Sequence, residues 1–231
     1  MKSSELIFTS YCFGDKYLDQ QIRLRESIRD IYKDARIYFQ NEPEETGKPK
    51  FQQSLYGFKV NLIRQCLKMD FKKIVFFDTA ICLNTPVDHW FDIIKDYGVL
   101  APVDRQTLNN VTSDRCLKHL NLTRDQVSKW NLVGGSIYVF DFDLPLCNKI
   151  FNMWDSLEKA GMFGTQDDLS ADKLQGHRMD ETCMALSLAL NGVLPLGHDE
   201  IRYCYEHPET KKIHTMGDGS YTPIAIKRHF K

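Results

Sequence analysis

Lys73-Ile74-Val75-Phe76-Phe77-Asp78 is the stretch whose reading decides the fold. A lysine and four strand-forming apolar residues end abruptly in a carboxylate. An apolar run of this length reads as a strand buried on both faces, the kind found in parallel sheets covered by helices. The carboxylate at its end is partly desolvated and needs a partner: a donor, a ribose hydroxyl or a metal. A turn or capping aspartate with a backbone partner accounts for Asp78 equally well.

Outward from this run, strands and helices alternate. Leu6–Thr9 reads as a first strand, broken by Ser10-Tyr11-Cys12-Phe13-Gly14-Asp15. Tyr17, Leu24, Ile28 and Ile31 then recur at a helical period. Ala35–Gln40 reads as a second strand, Asn41–Lys50 as a polar surface loop, and Gln52–Met69 as a helix with Leu55, Phe58, Leu62 and Cys66 on one face. After the central run, Asp88 is placed to cap a helix over His89–Asp96. Val99–Val103 and Ser136–Phe140 read as strands, and Thr123-x-x-Gln126 has the spacing of a capping box. Pro145 suits a first helical turn, and a helix over Met179–Leu190 ends at Asn191-Gly192. Strand-like pieces follow near Val193 and Ile201–Tyr205. The alternation predicts one α/β domain with a mostly parallel sheet and helices on both faces.

The whole chain is consistent with that class. It has 231 residues, 30 Lys+Arg against 31 Asp+Glu, and 42% hydrophobic residues. Disorder as the main state is excluded, and a net charge of −1 gives no whole-chain field for nucleic acid or an anionic membrane. No apolar run reaches the ~18–20 residues of a membrane span, and the first ten residues lack the pattern of a secretory signal. The expected setting is cytoplasmic. Seven cysteines without a CxxC pair are expected to be buried, reduced thiols. His198, Cys204, His207 and His214 form a loose alternative zinc set whose spacing fits no common pattern. Neither a P-loop, nor Gly-x-Gly-x-x-Gly, nor Gly-x-Ser-x-Gly occurs. Tyr56, Trp90, Trp130 and Trp154 are expected in the core.

In an open α/β sheet, ligands gather at the carboxyl ends of the strands. That rule selects three places: Thr9–Tyr11, Asp78 and the residues after the Ala35–Gln40 strand. Two further clusters stand out. Gly134-Gly135-Ser136 places glycines against a strand, either for close approach of a sugar ring or as an ordinary bulge. Gly176-His177-Arg178-Met179-Asp180-Glu181-Thr182 packs polar residues before an apolar helix face, where a helix-start preference for acids is the simpler account.

The order of these features resembles the nucleotide-sugar glycosyltransferases of the GT-A fold, especially the glycogenin and bacterial galactosyltransferase-like branch, over about residues 5–195. The resemblance implies a Rossmann-like single domain, its nucleotide-binding part about 1–103 and its acceptor and sugar part about 104–231. It implies transfer of a sugar from a nucleotide-diphosphate donor to an acceptor hydroxyl on a glycan, protein or small molecule. Thr9-Ser10-Tyr11 match the strand end that meets the base, and Lys59 resembles the basic residue facing the diphosphate. Asp78 matches the first aspartate of Asp-x-Asp, which contacts the ribose and often a metal. Gly134, Gly135 and Ser136, with His177, correspond to the sugar and acceptor side. Asp180-Glu181 resembles the family's Asp-Gln pair at the reacting centre, with Arg178 beside it toward the donor.

One position departs from the pattern. Ala80 stands where the family's second aspartate helps hold Mn or Mg against the diphosphate. Four accounts stay open: another acid supplies that ligand, cationic side chains such as Lys59, Arg64 or Arg178 replace the metal, the chain is no longer an active transferase, or position 80 is engineered. A nucleotide-sugar-binding or partner-binding module is therefore the alternative, and a nucleotidyltransferase the next, although a glycine- and arginine-rich loop after the first strand is missing. The C-terminal stretch around His214, Gly217, Gly219, Pro223 and His229 reads as a loosely held tail or a flap over the site.

Overall fold

The computed structural model describes residues 5–14, 17–41, 53–83, 85–195, 203–206, 213–216 and 224–225. Its central sheet contains β1 (Leu6–Cys12), β2 (Arg36–Asn41), β3 (Lys73–Phe77), β5 (Val99–Leu100) and β8 (Ile137–Asp141), in the order β2-β1-β3-β8-β5. β1 pairs in parallel with β2 and β3, whereas β8 runs antiparallel to both β3 and β5. Four of the five strands therefore point one way, so the sheet is mostly parallel. β8 is the reversed strand, and its reversal matters: its amino end lies at the edge where β3 ends. The register Phe77↔Ile137 sets Asp78 beside Ser136.

Alternating side chains send two cores to opposite faces of this sheet. Ile7, Ile74, Phe76, Tyr138 and Phe140 pack with residues of α2 (Phe58–Lys68), α7 (Pro145–Lys159) and α9 (Met179–Leu190). Leu6, Phe8, Val75, Phe77 and Val139 pack with Leu24 and Ile28 of α1 (Leu18–Ile31) and with Trp90 and Phe91 of α3 (Asp88–Ile93). The strand β4 (Cys82–Leu83) lies between β3 and α3 in the chain. Beyond β5, β6 (Val103–Thr107) pairs with β7 (Asn131–Val133) around α4 (Leu108–Val111), α5 (Asp114–His119) and α6 (Arg124–Val127). α8 (Gln166–Ser170) precedes α9, and β9 (Tyr203–Glu206), β10 (Ile213–Met216) and β11 (Ile224–Ala225) follow it.

The Thr123–Gln126 capping box forms with both of its hydrogen bonds, and Pro145 opens α7. Six expectations are corrected. β1 runs on to Cys12, past the expected break at Ser10. α2 begins at Phe58, because Tyr56 takes a positive φ of 61° that a helix does not allow. Asp88 does not cap α3; its carboxylate instead accepts the Tyr32 hydroxyl. The Val99–Val103 segment divides at Pro102, whose carbonyl accepts the Gly134 N–H, and each half pairs with a different strand. Val193 is not in a strand. The C-terminal stretch contributes β10 and β11, and β11 pairs antiparallel with β4, so it is not simply a loose tail.

Candidate active site

At the carboxyl edge of β3, the Asp78 N–H donates to the Ser136 carbonyl at 2.9 Å. One residue earlier, the Gly135 peptide is gripped from both sides. Lys59 Nζ donates to its carbonyl at 2.9 Å, and its N–H donates to Glu181 Oε1 at 3.0 Å. The glycine is needed because these side chains fill the space a Cβ would take. A methyl at 135 meets Lys59 Nζ at 2.6 Å and Glu181 Cγ at 2.9 Å. What comes close to the Gly135 backbone is the protein's own Lys59 and Glu181 side chains, a cause that the sequence reading, which weighed a sugar ring against a bulge, did not name.

Lys59 is 1% exposed, an extreme position for an ammonium. It is neutralised by Asp180 Oδ2 at 2.6 Å, and its charge faces the rings of Tyr56, Phe76 and Tyr138 at 5.0, 5.6 and 5.5 Å. The same carboxylate oxygen accepts the Tyr138 hydroxyl at 3.1 Å, and the Asp180 carbonyl accepts Trp154 Nε1 at 3.1 Å. Glu181 turns its other oxygen to Arg178, at 2.8 Å, and that arginine side chain remains 37% exposed. Two strained residues flank the pair: Tyr56, φ 61°, lies three positions before Lys59, and Met179, φ 42°, directly before Asp180. Left-handed backbone at non-glycine residues costs about 1–3 kcal/mol each and collects at functional sites.

The remaining expected residues are placed as follows. Thr9 and Ser10 are buried in β1; the Thr9 hydroxyl donates to the Tyr38 carbonyl, and Ser10 Oγ meets no partner among the described residues. Tyr11 stacks on Phe58 with centroids 4.3 Å apart. Gly134 donates to the Pro102 carbonyl. His177 is buried, its Nδ1 accepting the Ser113 N–H at 3.2 Å, with Cys183 Sγ 3.9 Å from Nε2. It thus joins the start of α5 to the start of α9. Burial holds its pKa down at about 4, against a weaker opposing hydrogen bond to the Met162 backbone. Arg64 pairs with Asp155 and Glu158 on α7 and so turns away from Lys59. Ala80 is 3% exposed.

Among the described residues no three His, Cys, Asp or Glu side chains converge as a ligand set, and Ala80 brings no ligating atom beside Asp78, so the donor set they offer a divalent cation at this strand end is incomplete. His198 and His207 lie outside the described residues, as do the side chains of Cys204 and His214, so the zinc set does too. The other six cysteines are free.

Tyr138, Trp154 and Tyr56 were not anticipated as site residues. Tyr138 is followed by Val139 and Phe140, and Trp154 sits on a helical apolar face, so both look like core by period; each nonetheless carries a polar tip that must find a partner when buried. Tyr56 is half-buried and holds its backbone left-handed, which the sequence does not signal.

No family model matches this chain, and no curated protein matches it in sequence. Solved structures do. A bifunctional glycosyltransferase, WbbM, in its apo form shares 14% identity over 84% of this chain with a TM-score of 0.53; this chain spans 39% of that one. A glycosyltransferase involved in glycosylating the major capsid of PBCV-1 matches 74% of this chain and 78% of its own at 14% identity, TM-score 0.44. The galactosyltransferase LgtC, in complex with donor and acceptor sugar analogues, matches 84% of this chain and 74% of its own at 11% identity, TM-score 0.45. The likeness to WbbM shows a shared fold, a mixed α/β fold of GT-A type.

Proposed function

We propose that this protein transfers a sugar from a nucleotide-diphosphate donor to an acceptor hydroxyl. One observation carries the reading: hydrogen bonds, ion pairs and two stretches of adjacent backbone gather the Asp78 N–H, Ser136, Gly135, Lys59, Asp180, Glu181 and Arg178 along the carboxyl edge of the sheet. That edge is where an open α/β sheet takes its ligand. Breaking a sugar–phosphate bond asks for cationic stabilisation of the departing diphosphate and anionic support for an oxocarbenium-like carbon. The cluster carries both signs of charge within one rigid frame.

The roles divide by exposure. Asp78 is half-buried and faces the donor ribose. The Lys59–Asp180 pair is a positioning device that fixes the Gly135 carbonyl and the first turn of α9. Glu181 and Arg178 hold the other side of the glycine peptide, against the sugar and phosphates. Free thiols suit a cytosolic setting. Among the described residues no helix is long and apolar enough to cross a membrane.

Ala80 and the engagement of the Asp180 carboxylate by Lys59 favour a second reading, a domain that binds nucleotide sugars without turning them over. Donor hydrolysis and transfer by purified protein, over a panel of nucleotide sugars, separate the two. Turnover that falls in Asp78→Asn and Asp180→Asn supports the transferase. Nucleoside diphosphate binding without turnover supports the binding module, and absence of binding sinks both.

A further inference from the structure

We infer, building on the transferase reading, that the diphosphate of the donor is held without a divalent cation and that Arg178 supplies the charge in its place. The ligand set argues first. Ala80 carries a methyl where the resemblance to the transferases would put a second oxygen ligand beside Asp78, and the described residues bring no three metal-ligating side chains together. A diphosphate still brings about two or more negative charges into a partly desolvated edge, and these need cations.

The cations near that edge are committed unequally. Lys59 is 1% exposed, bonded to Asp180 and the Gly135 carbonyl and enclosed by three rings. Arg64 is held by Asp155 and Glu158 of α7. Arg23 of α1 donates to the Thr79 carbonyl of the Asp78–Ile81 turn at 3.5 Å and is more than half buried. Arg178 differs from all three. Its side chain is 37% exposed, and among the described residues its guanidinium meets one acceptor, Glu181 Oε2. Glu181 is itself anchored by the Gly135 N–H, so the guanidinium is fixed beside the glycine pair with further N–H groups to offer. A guanidinium fork matches two phosphate oxygens in one plane, where a lysine would supply only a point charge.

In the transfer step the bond from sugar C1 to the diphosphate oxygen breaks, and its electron pair stays on the diphosphate. The acceptor hydroxyl oxygen supplies the pair for the new C1–O bond, and its proton passes to the diphosphate. Arg178 stabilises the charge that grows on the diphosphate as the bond breaks.

The test is calorimetric titration with UDP, GDP, ADP and CDP, in EDTA and in MnCl2, on the wild type, Arg178→Gln and Arg178→Lys. One nucleoside diphosphate is expected to bind within about twofold equally in both buffers, and more weakly as salt rises. Arg178→Gln should weaken it about tenfold or more and Arg178→Lys less; because Arg178→Gln also leaves the buried Glu181 carboxylate without its ion pair, its melting temperature is expected to fall, whereas Arg178→Lys, which keeps the charge, should stay near the wild type. Binding that needs manganese, or that is indifferent to Arg178→Gln, overturns the inference and leaves the transferase reading standing. No binding of any of the four in either buffer overturns both.

Discussion

Lys59 shows how one residue can set the character of a site. An ammonium buried to 1% beside a carboxylate buried to 2% is stable only while both are present. Lys59→Met strands the Asp180 carboxylate and should cost about 3–5 kcal/mol in urea unfolding, whereas Lys59→Met combined with Asp180→Leu should recover most of that loss. Sugar turnover should stay absent in both, so stability and activity separate. Simple addition of the two single losses would show that the pair is not the coupled unit described. Gly135→Ala tests the same frame from the backbone side. Its methyl lies 2.6 Å from Lys59 Nζ and 2.9 Å from the Glu181 side chain, so an overpacking cost of about 1–3 kcal/mol and loss of nucleotide binding are expected. A variant with wild-type melting temperature and affinity would contradict the crowding.

At the scale of elements, what was legible followed period and local chemistry. α9 runs from Met179 to Leu190 as its apolar spacing indicates, and β3 covers Lys73–Phe77. The Thr123 box and Pro145 are local signals with local causes. What failed depended on distant partners: Asp88 is drawn off by Tyr32, 56 positions earlier, and the strand after Val99 divides because Pro102 meets Gly134. In the site, Asp78, Gly135 and the acidic couplet were legible as unusual residues at strand and helix ends. The pairing of Lys59 with Asp180, 121 positions apart, was not. His177 belongs at this scale because it ties α5 to α9. It is neutral in the fold, its pKa lowered from 6.5 to about 4 by burial, so below pH 6.5 the unfolded chain binds a proton that the native state refuses. Its stabilisation is therefore full above pH 6.5. It is lost progressively as the pH falls toward 4 and levels off after a loss of about 3 kcal/mol. The groups facing the ring are the Ser113 N–H, the Cys183 thiol, the Met162 backbone and the Arg115 charge. Denaturant midpoints from pH 7.5 to 4.5 should fall less steeply in His177→Gln than in the wild type; parallel slopes would remove His177 from the acid sensitivity.

Across the whole molecule, the sheet separates two cores, and the turn that carries Asp78 is held from two directions. From one side α1 reaches it: Ser27 Oγ accepts the Leu83 N–H at 3.0 Å, and Arg23 donates to the Thr79 carbonyl. From the other side the far end of the chain returns, with Ile224 opposite Leu83 and Ala225 opposite Cys82. The first grip belongs to the core. The second spans some 140 positions of sequence and rests on a two-residue ladder, so it can be removed without opening the central sheet. Truncation after Pro195 removes β9–β11, and Ile224→Pro sets a ring into the two-residue pairing with β4 while leaving the rest of the segment in place. Both should weaken nucleoside diphosphate binding several-fold in calorimetry, the truncation more than the point variant. Far-ultraviolet circular dichroism should still report a folded α/β domain. Beyond the Ser136 carbonyl that accepts the Asp78 N–H, the turn would then be held by α1 alone, and ordering it would be charged to the ligand at each binding event. Equal affinity in the wild type and both variants would mean that β11 merely covers β4, and that α1 suffices to keep Asp78 in place.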